Sequence, residues 1–172
     1  MEERIFPAKI LLFGEHILLK GATALAAPAP VFSGNWRQST TLPHPLQWEQ
    51  LRAVFKRLDT SLPFDFQQLN ADILDGWHFQ SSIPQGYGLG SSGALCAALY
   101  HRYGLTPRAQ SPEVLKQLLG QTESSFHGKS SGIDPLTSYL NSPLLIRDTH
   151  SVELVSGYTP PETVSVFLVN TR

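Results

Sequence analysis

An α+β sandwich is the fold class this sequence predicts, and three observations predict it. Strand-like and helix-like segments follow one another without the strict alternation of a doubly wound sheet. Two apolar-faced helical stretches lie in the second half, Gly93 to Tyr103 and the segment opened by Ser111-Pro112. A glycine- and serine-rich loop, Ile83 to Ala94, joins a strand-like segment to the first of them. A chain of 172 residues, 41% of them hydrophobic, should bury about 70% of its unfolded surface. No internal repeat or dividing linker interrupts it, so residues 1–172 read as one domain.

The elements follow in order. Ile5 to Phe13 reads as a buried strand that contains Lys9, ending at Gly14-Glu15-His16. Alternating alanine and proline make Ala24 to Phe32 extended, and Asn35 to Thr41 looks like another strand. Leu46, Leu51, Val54, Phe55 and Leu58 recur at helical spacing, predicting a helix over Gln47 to Leu58. Ile73 to Gln80 alternates loosely and leads as a strand into the glycine loop. The helix Gly93 to Tyr103 stops at Gly104, a favoured residue just past a helix end. The next helix takes Ser111 as N-cap with Pro112 in its first turn, and Val114, Leu115, Leu118, Leu119 and Phe126 give it an apolar face. A short helix over Pro135 to Tyr139 and strands over Pro143 to Arg147, Val152 to Val155 and Thr163 to Asn170 complete the reading.

Composition excludes several classes of function. The net charge of −1 gives neither a nucleic-acid stripe nor a membrane patch. No apolar run approaches the ~20 residues of a membrane span, and the Met1-Glu2-Glu3-Arg4 start lacks a signal-peptide layout. The single Cys96 has no intramolecular disulfide partner and suits a reducing compartment, so the expected location is cytoplasmic. The six histidines show no metal-ligand spacing, and one cysteine cannot build a thiolate zinc site.

Chemistry concentrates in three segments. In Pro84-Gln85-Gly86-Tyr87-Gly88-Leu89-Gly90-Ser91-Ser92-Gly93-Ala94 the glycines permit positive φ, and the helix that follows supplies unpaired donors and a positive dipole end. Phosphate is the natural guest, although a plain glycine turn with serine caps has the same composition. Glu123 lies one helical turn after Leu119, near the apolar face, and Asp134 follows past a Ser-Ser-Gly turn. Two carboxylates beside a phosphate loop suggest that one holds Mg²⁺, which favours hard oxygens, while the other accepts a hydroxyl proton. Against this, Asp134 before Pro135 is a ready N-cap, Glu123 could be a half-exposed helix carboxylate, and Lys9 a solvated strand lysine. Gly128-Lys129-Ser130-Ser131-Gly132 fits the G-x-S-x-G hydrolase elbow in wording, but a helix precedes it where the elbow needs a strand. It also fails as a P-loop end, because Glu123 stands at the required upstream glycine.

Taken together the three segments resemble the GHMP kinases, a superfamily of small-molecule kinases. The Pro84 to Ala94 loop resembles their central phosphate loop. Lys9-Ile10-Leu11-Leu12-Phe13-Gly14-Glu15-His16 is similar to their N-terminal segment, in wording closest to the mevalonate kinases. Glu123 through His127-Gly128-Lys129-Ser130-Ser131-Gly132-Ile133-Asp134 resembles the segment carrying a Mg²⁺ ligand and a base. The resemblance implies the α+β N-terminal domain of that fold, related to the second domain of ribosomal S5-type proteins. It implies ATP and Mg²⁺ as cofactors, with Gly86, Gly88, Leu89, Gly90, Ser91 and Ser92 on the nucleotide and Ser92 and Glu123 on the metal. Asp134 would be the catalytic base, with Lys9 beside it keeping the carboxylate ionised and stabilising the incipient alkoxide. Glu15 and His16 would line the acceptor pocket.

The activity implied is phosphorylation of a small alcohol, mevalonate first, with phosphomevalonate or another GHMP substrate as a variant. A non-catalytic nucleotide- or metabolite-binding subunit is the alternative from a different class. The near-neutral charge points to no nucleic-acid or membrane partner, and the resemblance is compatible with a homo-oligomer. Two departures from the family are small: Ser130 stands where proline is usual, which should loosen the turn, and Gly93 where alanine is frequent, at about 1 kcal/mol of helix propensity. The large one is length. No C-terminal domain with a further glycine-rich motif is present, so the chain is expected to be a fragment or a split subunit. It should need that domain in cis or in trans for activity.

Overall fold

The computed structural model describes residues 4–14, 23–39, 58, 60–106, 110–148 and 151–157. Strands β1 (Phe6–Phe13), β2 (Ala24–Gln38), β3 (Trp77–Ser81), β4 (Leu144–Ile146) and β5 (Val152–Leu154) form one antiparallel sheet. Helices α1 (Phe66–Leu74), α2 (Ser91–Tyr103), α3 (Pro112–His127) and α4 (Ile133–Leu140) pack with it around a single hydrophobic core. The α+β architecture is the expected one. The helix expected over Gln47 to Leu58 and the strand over Thr163 to Asn170 lie outside the described residues, apart from Leu58, which is buried in the core.

Strand β2 is the spine. It pairs with β1, β3 and β4, so the two strands expected over Ala24 to Thr41 are one continuous element. Its prolines are tolerated for reasons visible in the register. Pro28 lies opposite Lys9, and the Lys9 amide donates away from β2, to the Leu89 carbonyl at 3.0 Å. The Lys9–Pro28 pair is thus a non-hydrogen-bonded one, where a missing N–H costs nothing. Pro30 falls in the register shift where β1 passes from partner Ser33 to partner Ala29, and bulges are where sheets accommodate proline.

Helix α1 was not legible: Ile73 and Leu74, expected to begin a strand, end it, and β3 starts only at Trp77. Asp65 caps α1, its side chain accepting from the Gln68 amide at 2.9 Å. The helix is held by charge as well as by apolar contact. Asp72, 4% exposed, accepts from Arg102 Nε at 2.7 Å and pairs with Arg102 Nη2 at 2.6 Å; the Tyr103 hydroxyl donates to it at 3.1 Å. The Arg102 guanidinium also stacks 3.9 Å from the Trp77 ring centroid. On the same side Trp36 donates its indole N–H to the Ala98 carbonyl at 3.1 Å and meets Tyr103 edge-on. These contacts clamp α2 between α1 and the sheet.

A buried charge that loses its partner is costly, typically by 3–5 kcal/mol. Arg102 keeps some solvent contact, so Asp72→Ala should destabilise the protein by about 3 kcal/mol. Urea unfolding checks this: a lower midpoint at unchanged slope is expected, and a shift under ~0.5 kcal/mol would show that Asp72 contributes no more than a surface residue.

Candidate active site

Three helix ends converge beside β1. Helix α2 begins at Ser91, two residues earlier than its sequence suggests, with Gly90 as its N-cap in the left-handed region at φ 71° and no side chain capping it. The amides of Ser91, Ser92 and Gly93 therefore lie ahead of the first intrahelical bond, Ala94 N to Gly90 O at 2.9 Å. In the preceding loop Gly86 and Gly88 also hold positive φ, and a Cβ on either would meet none of the described residues within 4 Å. These glycines are required by backbone conformation, and among the described residues no neighbour packs against them. Left-handed turns and an uncapped helix start are the features an anion cradle needs, so the segment fits a phosphate group.

Lys9 and Asp134 meet across this loop. Lys9 Nζ lies 3.0 Å from Asp134 Oδ1, and its side chain is only 11% exposed, so the solvated-lysine alternative is excluded. The pairing is built by two rungs. Ser138 Oγ donates to the Pro7 carbonyl at 2.8 Å, and Ser138 stands one helical turn after Asp134 while Pro7 stands two strand residues before Lys9. Four helix residues rise about 6 Å and two strand residues about 6.7 Å. Antiparallel alignment at one rung therefore brings Lys9 and Asp134 together at the next. Asp134 is not the N-cap of its helix. Gly132 takes that place at φ 75°, and α4 begins at Ile133, two residues before its expected start.

Glu123 is not a half-exposed helix carboxylate either. It is 6% exposed; its Oε1 accepts from Ser92 Oγ at 2.9 Å and its Oε2 from Ser130 Oγ at 2.5 Å. Burial, aided by the Glu123 charge, pushes the Cys96 thiol well above its ordinary value. Among the described residues no three His, Cys, Asp or Glu side chains gather as a metal cluster. One carboxylate with one hydroxyl still fits Mg²⁺, which commonly takes few protein oxygens and completes its shell from phosphates and water.

Glycine lets these parts touch. A Cβ on Gly90 would lie 2.9 Å from Lys9 Cγ, and one on Gly93 would lie 2.8 Å from Pro135 N and 2.9 Å from the Asp134 carbonyl carbon. Gly93 is thus a close-approach residue, and the helix propensity it forgoes is secondary. Gly132 meets α3 in the same way: its Cβ would stand 2.2 Å from the Lys116 carbonyl oxygen. Ser130, expected to loosen its turn, ties it: its amide donates to Ser124 Oγ and its hydroxyl accepts from the Gly132 amide, each at 3.0 Å. The sequence marked Ser130 only as a departure from proline and did not mark Ser138; a spatial neighbour gives each its role. Of the expected site residues, Glu15 and His16 lie outside the described residues, while Lys9, the loop, Glu123 and Asp134 come together.

The family profile of the GHMP kinases N terminal domain matches residues 50–142. Among curated proteins none matches the sequence. A crystal structure of mevalonate kinase from methicillin-resistant Staphylococcus aureus is similar at TM-score 0.51 and 21% identity, over 90% of this chain and 55% of that one. The mevalonate kinase of Methanococcus jannaschii gives TM-score 0.55 at 18% identity, over 90% and 56%. That of L. major, solved in complex with R-mevalonate, gives 0.51 at 20%, over 90% and 52%. At these identities the likeness speaks for the fold. The chain spans about half the length of these kinases.

Two outcomes test the packing. Gly93→Ala should destabilise by about 1–3 kcal/mol through overpacking against α4, although alanine is the better helix former by about 1 kcal/mol. A gain in melting temperature would refute the close approach. Cys96, buried one helical turn after Ser92, tests how well the interior beside Glu123 is shielded. Its thiol is raised in the folded state, so its contribution to stability is full below pH 9.0, the ordinary thiol value, and is lost as pH rises above it. Wild type should weaken between pH 9 and 10.5 more steeply than Cys96→Ala, as read by urea midpoints; parallel profiles would show the thiol is not shielded.

Proposed function

Because the chain belongs to the GHMP kinases through their N-terminal domain, we propose that it carries the acceptor-activating half of a site that phosphorylates a small-molecule alcohol. The observation that carries this reading is the Lys9–Asp134 pair at 3.0 Å, nine-tenths shielded on the lysine side and set against the phosphate loop at Gly90. ATP is the phosphoryl donor in this reading, and Mg²⁺ neutralises its phosphate charge.

Phosphoryl transfer asks an enzyme for positioning and charge stabilisation more than for covalent chemistry. Asp134 Oδ2, the oxygen not facing Lys9 Nζ, takes the proton of the acceptor hydroxyl as that oxygen attacks. Lys9 holds the carboxylate in register and places a positive charge beside the developing alkoxide. The amides of Gly88, Gly90 and Ser91 receive the phosphates at the start of α2. Ser92 Oγ and a Glu123 oxygen would hold the metal. Mevalonate is the acceptor we favour, on the wording of Phe13-Gly14-Glu15-His16 and the likeness to mevalonate kinase folds; Glu15 and His16 would orient it. Since the chain spans about half of those kinases, we assign the opposite wall of the site to residues outside it, in cis or in trans.

The test is an acceptor panel with ATP and Mg²⁺, led by mevalonate, on the protein with its complementing region. Asp134→Asn should lower kcat by about 10²–10⁴-fold, the usual contribution of a general base, while nucleotide affinity changes little. Near-normal turnover by that variant would remove Asp134 from the reaction.

A further inference from the structure

Ser130 is the polar group at the site to which the proposed reaction gives no part, and its bonds are specific. Its hydroxyl donates to Glu123 Oε2 at 2.5 Å and accepts from the Gly132 amide at 3.0 Å. Its own amide is held by Ser124 Oγ, which in turn donates to the Gly120 carbonyl at 2.7 Å. Its Oγ therefore cannot swing away from Glu123 to another rotamer without leaving the Gly132 amide unmet at the start of α4. That start carries Asp134 two residues on. Glu123 Oε1 faces the other way, to Ser92 on α2.

We propose that Ser130 is a positioning residue for the cation. It engages Oε2 of Glu123, so that only Oε1, on the Ser92 side, is presented to Mg²⁺. This rests on the cation reading of Ser92 and Glu123 given above. The carboxylate then binds through one oxygen, which suits the octahedral geometry and sparse protein ligation Mg²⁺ favours. Partners that orient a ligand in this way commonly matter 10–100-fold to metal affinity. The same hydroxyl fixes Gly132, so the orientation of Glu123 and the start of the Asp134 helix are set by one atom.

The experiment measures Mn²⁺ binding by electron paramagnetic resonance, with ADP present and no acceptor, so that turnover plays no part. Metal-free ADP affinity is measured alongside by calorimetry. Ser130→Ala should weaken Mn²⁺ binding about tenfold and leave metal-free ADP affinity unchanged. Ser130→Thr keeps the hydroxyl and should restore wild-type Mn²⁺ affinity, an outcome that a general loss of folding in the alanine variant would not mimic. Ser92→Ala and Glu123→Gln serve as benchmarks. If they weaken Mn²⁺ binding while Ser130→Ala binds like wild type, the positioning role is overturned and the cation site stands. If Ser130→Thr behaves like Ser130→Ala, the hydroxyl is not the cause and the role is overturned too. If both benchmarks bind like wild type, the cation reading itself fails and takes this inference with it.

Discussion

Everything at the site depends on backbone meeting backbone where α2, α3 and α4 converge. Side chains at Gly93 and Gly132 would strike the main chain of a neighbouring helix or its entrance, at 2.8 Å and 2.2 Å. Close-packed interiors relax poorly against main-chain collisions. Without that convergence the start of α2 could not lie beside Asp134, nor Ser92 beneath the α3–α4 turn beside Glu123. The polar pairs are the result of this approach. An ion pair by itself supplies little net drive to assemble elements, whereas the apolar core around Leu119, Leu136 and Leu99, each fully buried, does.

The second organising feature is the division of work between the two ends of α2. Its first turn faces the loop and Glu123, while its last turn holds Arg102 and Tyr103 against Asp72. Trp36 locks the middle through Ala98. A helix so fixed at its C-terminal end offers its N-terminal end as a stationary donor set. Preorganised donors of this kind stabilise charge without reorganising as it develops. The Leu89 carbonyl, bonded to the Lys9 amide, extends the same rigidity into the loop.

Much of this was legible in the sequence, and the reasons are physical. Signals that are local and chemical came through: the Ser111-Pro112 helix start, the glycine loop, and the placement of Glu123 by helical spacing. Boundaries were less legible where glycine opens a helix. Both α2 and α4 begin two residues before their expected starts, because Gly90 and Gly132 cap them by left-handed backbone and offer no side-chain signature. Helix α1 was hidden by its short length and by Ile73 and Leu74, whose apolar character serves a strand equally well. The roles of Ser130 and Ser138 were hidden for another reason. Ser138 takes its role from Pro7, far away in sequence, and Ser130 from Glu123 across the turn between two helices, and no spacing rule gives either contact.

The prolines of β2 bear on errors in strand pairing. Side chains along a strand alternate between faces, so a slip of one residue would turn Lys9 to the opposite face of the sheet, away from Asp134. In the native register Pro28 sits opposite Lys9, whose amide is directed to Leu89 instead. One residue out of step, Pro28 would face a β1 residue whose carbonyl seeks an N–H that proline lacks. The mispaired sheet would carry an unmet acceptor at its centre, a penalty of about 1–3 kcal/mol. An imino acid that adds no attractive contact thus discriminates against the arrangement in which the lysine would not meet Asp134.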